Sequence, residues 1–337
     1  MTNVSLGAHA RVCAVVVARI GDTLLVTPSL RSLRAASGYL KVLVHPQRKA
    51  VLENLEFIDE LATITKRSAW LRGRLSGATY DLAICWGRDD QLLRYCLRVA
   101  KRTVAFAYPE FDNVRTNGLE LVPVPPDRSM HAAVERHLLA DAAGAHCSDL
   151  GLAYSVTDLE FRAAQSWLSM HAGSAAPLIG LQPFSFPTKA HRDWPLDRFA
   201  ALARQIIEEH PLAHFVILGD EVAAARADQL AGSFPGRFSI AAGSVSLRES
   251  AALMKALDLY VGVDTGPTHI AGALRVPMVA LYHSYYPGSN LMPLGHPLCA
   301  ALQADGPTME SISVASVCTA ALGILKAARP RSWKSGL

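Results

Sequence analysis

Residues 260–282 read YVGVDTGPTHIAGALRVPMVALY. An apolar run ends at Asp264, a Thr265-Gly266-Pro267 corner follows, and a short helical pattern leads through Arg275 into a second apolar run, PMVALY. Strand, helix and strand in immediate succession form a βαβ unit, the building block of a parallel sheet. The same rhythm extends upstream. LIGLQPF, HFVILGD and FSIAAG read as strands, with PLDRFAALARQIIEEH, VAAARADQLAG and SLRESAALMKAL as the intervening helices. Beyond about Thr308 a last helical pattern runs into the basic KAARPRSWKSGL.

The N-terminal half repeats the rhythm. RVCAVVVA reads as a strand, Thr23 to Ser37 as a helix burying Leu24, Leu25, Leu30 and Leu33, and LKVLVH, ELATIT, DLAIC and TVAFA as further strands. Between Glu110 and Ser129 the pattern lapses, and Pro123, Pro125 and Pro126 predict a loop; HAAVERHLLADAAGA is then helical. The small residues and proline of SMHAGSAAP, Ser169–Pro177, predict a hinge. The expected architecture is therefore α/β: two facing Rossmann-like domains, residues 1–170 and 171–337, each on a parallel sheet, with a cleft between them and a helical C-terminal tail. Ligands in such sheets bind beyond the carboxyl ends of the strands, so the corners after the strands carry the chemistry.

Bulk properties agree. A chain of 337 residues suits two domains of about 150 each. The formal charge is +4 and the basic residues are dispersed, so no nucleic-acid partner is expected. Six cysteines without a CxxC pair fit neither a zinc site nor a disulfide framework and read as reduced cytoplasmic thiols packed as small hydrophobes. Val12–Ala18 after Arg11 imitates a signal sequence, but Arg19 and Asp22 interrupt it and no small-residue cleavage pattern follows. No segment reaches the ~18 apolar residues of a membrane span, which leaves peripheral attachment as the form of membrane contact.

Two corners stand out. In ARIGDTLL, a dinucleotide-binding turn would read GxGxxG; Gly21 is the only glycine, and Asp22 would repel a phosphate. Nicotinamide or flavin chemistry is not expected. Asp22 reads either as a helix N-cap or as a carboxylate facing a ligand, and the two are compatible. At the second corner, backbone N–H groups at the helix start, with Gly266 allowing close approach, form an anion site to which His269 adds a donor. The alternative makes Asp264 and Thr265 caps and Pro267 an ordinary first-turn proline.

RIGDTLLVTPSLRSLR and GVDTGPTHIAGALRVPMVALY resemble the opening and donor-site motifs of glycosyltransferase family 9, the ADP-heptose:lipopolysaccharide heptosyltransferases. KAHRDWPLDRFAALA, Lys189–Ala203, is similar to a third, looser element. The resemblance implies a GT-B architecture with the acceptor on the first half and the nucleotide sugar on the second. It further implies inversion without a metal, with Asp22 as the base and Asp264, Thr265, Gly266, Pro267 and His269 as the donor corner. Where the family carries a lysine two residues before Trp-Pro, this chain has Arg192; Lys189 is the nearby cation, and Thr188 and Ser185 are hydroxyl candidates. The family's ribose-binding acid falls nearer Ala223 than the acids present, Asp220 and Glu221; Glu221 is carried forward. The loop YHSYYPGSNLMPLGH departs from the family's glycine-rich form. Arg67 and Arg72, with further cations up to Arg102, are candidates to hold an acidic acceptor.

The implied function is transfer of heptose from ADP-heptose to a Kdo/heptose inner-core acceptor, lipid-linked or oligosaccharide, at the cytoplasmic face of a Gram-negative inner membrane. The alternatives are another nucleotide sugar or a non-lipopolysaccharide acceptor, and a sugar-nucleotide-binding protein without catalysis.

Overall fold

The computed structural model describes residues 6–328 apart from Ser76 and Asn117, so most of the basic C-terminal segment lies outside the described residues. The chain divides into two compact units, residues up to Ser155 and residues from Val156 onward.

In the first unit β1 (Arg11–Val16) leads into α1 (Ile20–Leu24) and α2 (Thr27–Ala35), and β2 (Tyr39–Val44) into α3 (Lys49–Leu52). Next, β3 (Glu60–Thr63) precedes α4 (Lys66–Leu75) and β4 (Tyr80–Cys85) precedes α5 (Asp90–Val99). Finally come β5 (Ala100–Phe106), β6 (Glu120–Val124) and α6 (Ala132–Ala142). The strands are all parallel, in the order β3-β2-β1-β4-β5-β6. Val12 to Val16 have no exposed surface, because a central parallel strand is covered on both faces and its sequence must be apolar throughout.

The second unit opens with α7 (Asp158–Ala172), β7 (Leu178–Gln182), α8 (Leu196–Glu209), β8 (His214–Ile217) and α9 (Glu221–Gly232). It continues through β9 (Phe238–Ile240), α10 (Leu247–Ala256), β10 (Leu259–Val263) and α11 (Gly266–Ala273). β11 (Met278–Tyr282), β12 (Cys299–Gln303) and α12 (Val314–Ala327) close it. Its order is β12-β11-β10-β7-β8-β9, again all parallel. Counted from β7, this is the strand order of the first unit. Each sheet reverses direction of build beside its first strand, between β1 and β4 and between β7 and β10, and the crevice there is where open α/β sheets bind ligands.

Three expectations need correction, and one strand was missed. The predicted helix Thr23–Ser37 is two helices, since Pro28 in the first turn of α2 lacks an N–H and its ring opposes continuation. The Thr27 hydroxyl donates to the Leu24 carbonyl at 2.6 Å instead. The proline-rich lapse contains β6, with Pro123 paired opposite Ala105; proline is tolerated there because β6 is an edge strand. In the second sheet the edge strand β12, half-buried, was not read at all, because its pattern is weak. The division falls at Ser155 rather than at residue 170, because α7 packs on α10 and its Glu160 forms a two-pronged ion pair with Arg248 at 2.5 and 2.7 Å.

Cys13, Cys85, Cys96 and Cys318 are buried, and burial pushes the Cys13 thiol up to about 12, which suits packing rather than chemistry. Among the described residues no helix is long and apolar enough to cross a membrane.

Candidate active site

In the first unit, α1 begins at Ile20 and its N-cap is Arg19, so Asp22 lies within the first turn and is not the cap. The position still favours a carboxylate, near the positive end of the helix. Its side chain is 42% exposed, and Arg136 Nη2 on α6 reaches Oδ1 at 3.2 Å. Arg136 Nη1 holds Glu135 Oε2 at 2.5 Å, and Glu135 is buried. Burial opposes the charge on Arg136, but Asp22, Glu135 and Tyr108 outweigh it and raise its pKa. Trp86, directly after β4, donates its indole N–H to the Arg136 carbonyl at 2.9 Å. Tyr108, after β5, completes the group; burial raises its pKa, while Arg136, Arg88 and Arg128 pull it down. Arg88 lies 4.5 Å over the Tyr108 ring and pairs with Glu110 at 2.9 Å. The corner at the β1/β4 crevice therefore presents one half-exposed carboxylate oriented by a mostly buried guanidinium, with further cations alongside.

Arg67 and Arg72 belong to α4, whose start is tied to the loop after β4 by the Lys66–Asp89 ion pair at 2.6 Å. Both are exposed on α4, which follows the edge strand β3, and Arg72 Nη1 donates to the Thr63 carbonyl at 2.8 Å.

In the second unit the β10 corner forms as its sequence predicts. Thr265 is the N-cap of α11, with Pro267 in the first turn, and no side-chain cap hydrogen bond closes this helix end. By contrast α7, α9, α10 and α12 are capped by Thr157, Asp220, Ser246 and Ser313. Thr265 to Pro267 are partly exposed, whereas Thr268 is buried and its hydroxyl donates to the Val263 carbonyl at 2.5 Å. An uncapped helix start at a sheet crevice is able to hold an anion.

Asp264 does not cap α11. Its Oδ2 accepts from Arg192 Nη1 at 2.7 Å and its Oδ1 lies 3.9 Å from His269 Nε2. It is a buried brace that fixes one cation beside the helix start, with the His269 ring close by. His269 is itself buried. Arg192 comes from the loop after β7, and Lys189 precedes it there, half-buried. The same loop holds His191, edge-on to His283 with centroids 5.2 Å apart. Burial lowers the His191 pKa, and His283, Arg192 and Lys189 lower it further, so these charges share one neighbourhood.

Ser185 serves the loop itself: its hydroxyl is 2.6 Å from both the Lys189 carbonyl oxygen and Asp193 Oδ1. Asp193 in turn accepts from Arg226 of α9 at 3.0 Å. Thr188 is exposed on this loop. At the start of α9, Asp220 is taken up as N-cap, accepting from the Ala223 N–H at 3.0 Å, and Glu221 is exposed beside it.

The pattern of glycosyltransferase family 9 (heptosyltransferase) matches residues 120–304, more than half of the chain. The chain belongs to this family. The matched span includes Arg192, Asp264 and His269; Asp22 lies outside it. A comparison with curated protein sequences finds no match. Among solved structures, a glycosyl transferase family 9 protein from Veillonella parvula superposes with a TM-score of 0.82 at 21% identity, covering 95% of this chain and 98% of that one. ADP-heptose lps heptosyltransferase II from E. coli gives 0.74 at 18% identity, covering 94% and 99%. The E. coli heptosyltransferase WaaC with ADP gives 0.69 at 16%, covering 92% and 98%. At these identities the superpositions establish the fold, GT-B with two Rossmann-like units.

Sequence reasoning missed Arg136, Glu135, Trp86, Tyr108, His191 and His283. The two histidines lie inside stretches already quoted, His191 in KAHRDWPLDRFAALA and His283 in YHSYYPGSNLMPLGH. Trp86 and Tyr108 each follow a strand, where the rule of corners after strands directs attention, although both are buried and support the corner from behind.

Proposed function

We propose that this glycosyltransferase family 9 member is an inverting enzyme that transfers heptose from ADP-heptose to an acidic inner-core lipopolysaccharide acceptor. The observation that carries the reading is the second-unit corner: an uncapped α11 start, with Arg192 fixed against it by Asp264 at 2.7 Å. Such an arrangement suits a nucleoside diphosphate leaving group. Its growing negative charge meets helix N–H groups and a bound guanidinium, with Lys189 adding a second cation and Thr188 a hydroxyl. Glu221 is the acid assigned to the ribose.

Asp22 is the general base. The acceptor oxygen attacks the anomeric carbon from the face opposite the diphosphate as Asp22 takes its proton. The bond from the anomeric carbon to the phosphate oxygen breaks, and its electron pair leaves with ADP. A transition state of oxocarbenium character is also stabilised by a nearby carboxylate. Arg136 is a positioning residue that fixes the Asp22 carboxylate by the ion pair described above. Charge at the diphosphate is balanced by side chains and helix dipole, so the reaction is proposed to need no metal. The acceptor is lipid-linked, its acidic groups met by cations of the first unit, and the enzyme works at the cytoplasmic face of the inner membrane.

The test is a thermal-shift panel with ADP, ADP-heptose, UDP, GDP, CDP and NAD without added metal. A ligand at about 100 times its dissociation constant stabilises by roughly 2.7 kcal/mol. Selective stabilisation by ADP and ADP-heptose is expected. A response to UDP or GDP alone would overturn the donor, and a response to none or to NAD alone would overturn the reading of the Asp264 corner.

A further inference from the structure

Helix α4, KRSAWLRGRL, is built inside out. Its buried residues are Ala69 and Gly73, and these face α5: a Cβ on Gly73 would come within 3.4 Å of Arg98 Cδ and 3.6 Å of Tyr95 Cα. Small residues there let the two helices approach closely. The large apolar side chains point the other way, with Trp70, Leu71 and Leu75 exposed by 47, 53 and 80%. Together with Arg67 and Arg74 they occupy positions i, i+3, i+4, i+7 and i+8, one continuous face of a helix. Close packing on α5 accounts for the small inner residues but not for tryptophan and leucines on the solvent side, where polar residues would cost nothing.

The charges on this helix have one sign. Lys66, Arg67, Arg72 and Arg74 are accompanied by no acidic residue within α4. Lys66 is paired with Asp89 at 2.6 Å, and the Arg74 guanidinium lies 4.2 Å over the Trp70 ring. An exposed face that mixes tryptophan, leucines and flexible cationic stems can set its apolar parts among lipid headgroups while the guanidinium groups stay at the phosphates.

We propose that α4 docks the enzyme on an anionic lipid surface, with Trp70, Leu71 and Leu75 entering the headgroup region and Arg67 and Arg74 meeting lipid phosphates. The proposal extends the reading of a lipid-linked acceptor by naming the face that holds the enzyme at its membrane.

The experiment is flotation of the full chain with vesicles of phosphatidylcholine, with and without phosphatidylglycerol, at physiological salt. Wild type should float with the anionic vesicles and much less with neutral ones. Leu71→Ser/Leu75→Ser should lower partitioning at least about tenfold, and Arg74→Gln roughly fivefold. Trp70→Phe should remove a blue shift of tryptophan emission that accompanies binding. Circular dichroism and ADP-induced stabilisation serve as fold controls and should match wild type, since these side chains point to solvent. Failure of wild type to float, or flotation unchanged in the leucine variant, would overturn the proposal. So would a concentration-dependent dimer that the leucine variant dissociates, which would assign the face to a second copy. Vesicle binding and the nucleotide panel are read independently, so either inference fails without the other.

Discussion

Replacing Arg192 by methionine tests the donor corner most directly. The Arg192–Asp264 separation of 2.7 Å corresponds to about 6 kcal/mol of gross Coulomb attraction at an effective dielectric near 20. Most of that is cancelled by the cost of holding both charges out of water, and Arg192 is 27% exposed, which screens the remainder. A hydrogen bond to a charged partner contributes about 1.5 to 3 kcal/mol net. Asp264 is only 10% exposed and keeps no other neighbour closer than His269 at 3.9 Å among the contacts described above, so the upper part of that range applies. We expect Arg192→Met to lower stability by about 2 to 3 kcal/mol, or roughly 4 to 12 °C in the melting of the second unit. Adding Asp264→Asn removes the stranded charge, so the double variant should recover at least about 1 kcal/mol relative to additivity. Function should suffer separately: losing a donor group at a developing anion costs about 10²- to 10³-fold in kcat, and ADP-induced stabilisation should shrink. Calorimetry of the four proteins of this cycle, with and without ADP, provides the readings. If Arg192→Met melts within about 1 °C of wild type and its ADP shift is unchanged, the pair is incidental and the anion-site argument fails with it.

For the base, Asp22→Asn should lower transfer by about 10²- to 10⁴-fold while leaving ADP stabilisation unchanged; a residual rate above about a tenth of wild type in an assay of ADP release removes Asp22 from that role. At the start of α7, the Arg248 guanidinium holds the Glu160 carboxyl at about 2 against burial, with Thr157 assisting. A carboxylate depressed from its ordinary value of 4.5 contributes stability that is full above that pH and fades as pH falls toward 2, about 3 kcal/mol in all. Urea titrations should therefore show Arg248→Met weaker than wild type at pH 7 and the gap closing below pH 4.5; a gap constant with pH contradicts the assignment. Burial holds His137 below the ordinary imidazole value, opposed by Asp141 and assisted by His146. The unfolded chain takes up that proton first as pH falls through about 6.5, so stability should decline there, and His137→Gln should flatten this part of the profile.

How much of this was readable in the chain depends on how local its cause is. The two corners were readable because each is encoded within a few residues: an apolar run that can only be a buried strand, then a carboxylate, glycine or proline that can only be a turn into a helix. β6 was not, because what permits its Pro123 is the absence of a neighbour on one side, a property of the finished sheet and not of ELVPV. The break between α1 and α2 was readable in principle from Pro28, but the leucine spacing of the flanking residues continues through it and conceals it.

Arg136 is the instructive case. It stands 114 residues after Asp22, in a helix whose apolar pattern says only that one face is buried. The ion pair exists because β1 and β4 are neighbours at the reversal point of the sheet, which brings Trp86 to the same end as Asp22; Trp86 then pins the backbone of α6 through the Arg136 carbonyl. No spacing rule in the sequence contains that relation. The fold class does, once Asp22 is read as the corner after the first strand of a Rossmann-like sheet. A half-exposed carboxylate there and a buried acid such as Glu135 share one cation, Arg136, and the loops after the adjoining strands and the helix that covers them are the places that can supply it. The search for Arg136 thus begins from chemistry and topology together, with Asp22→Asn and the nucleotide panel deciding whether that chemistry is transfer.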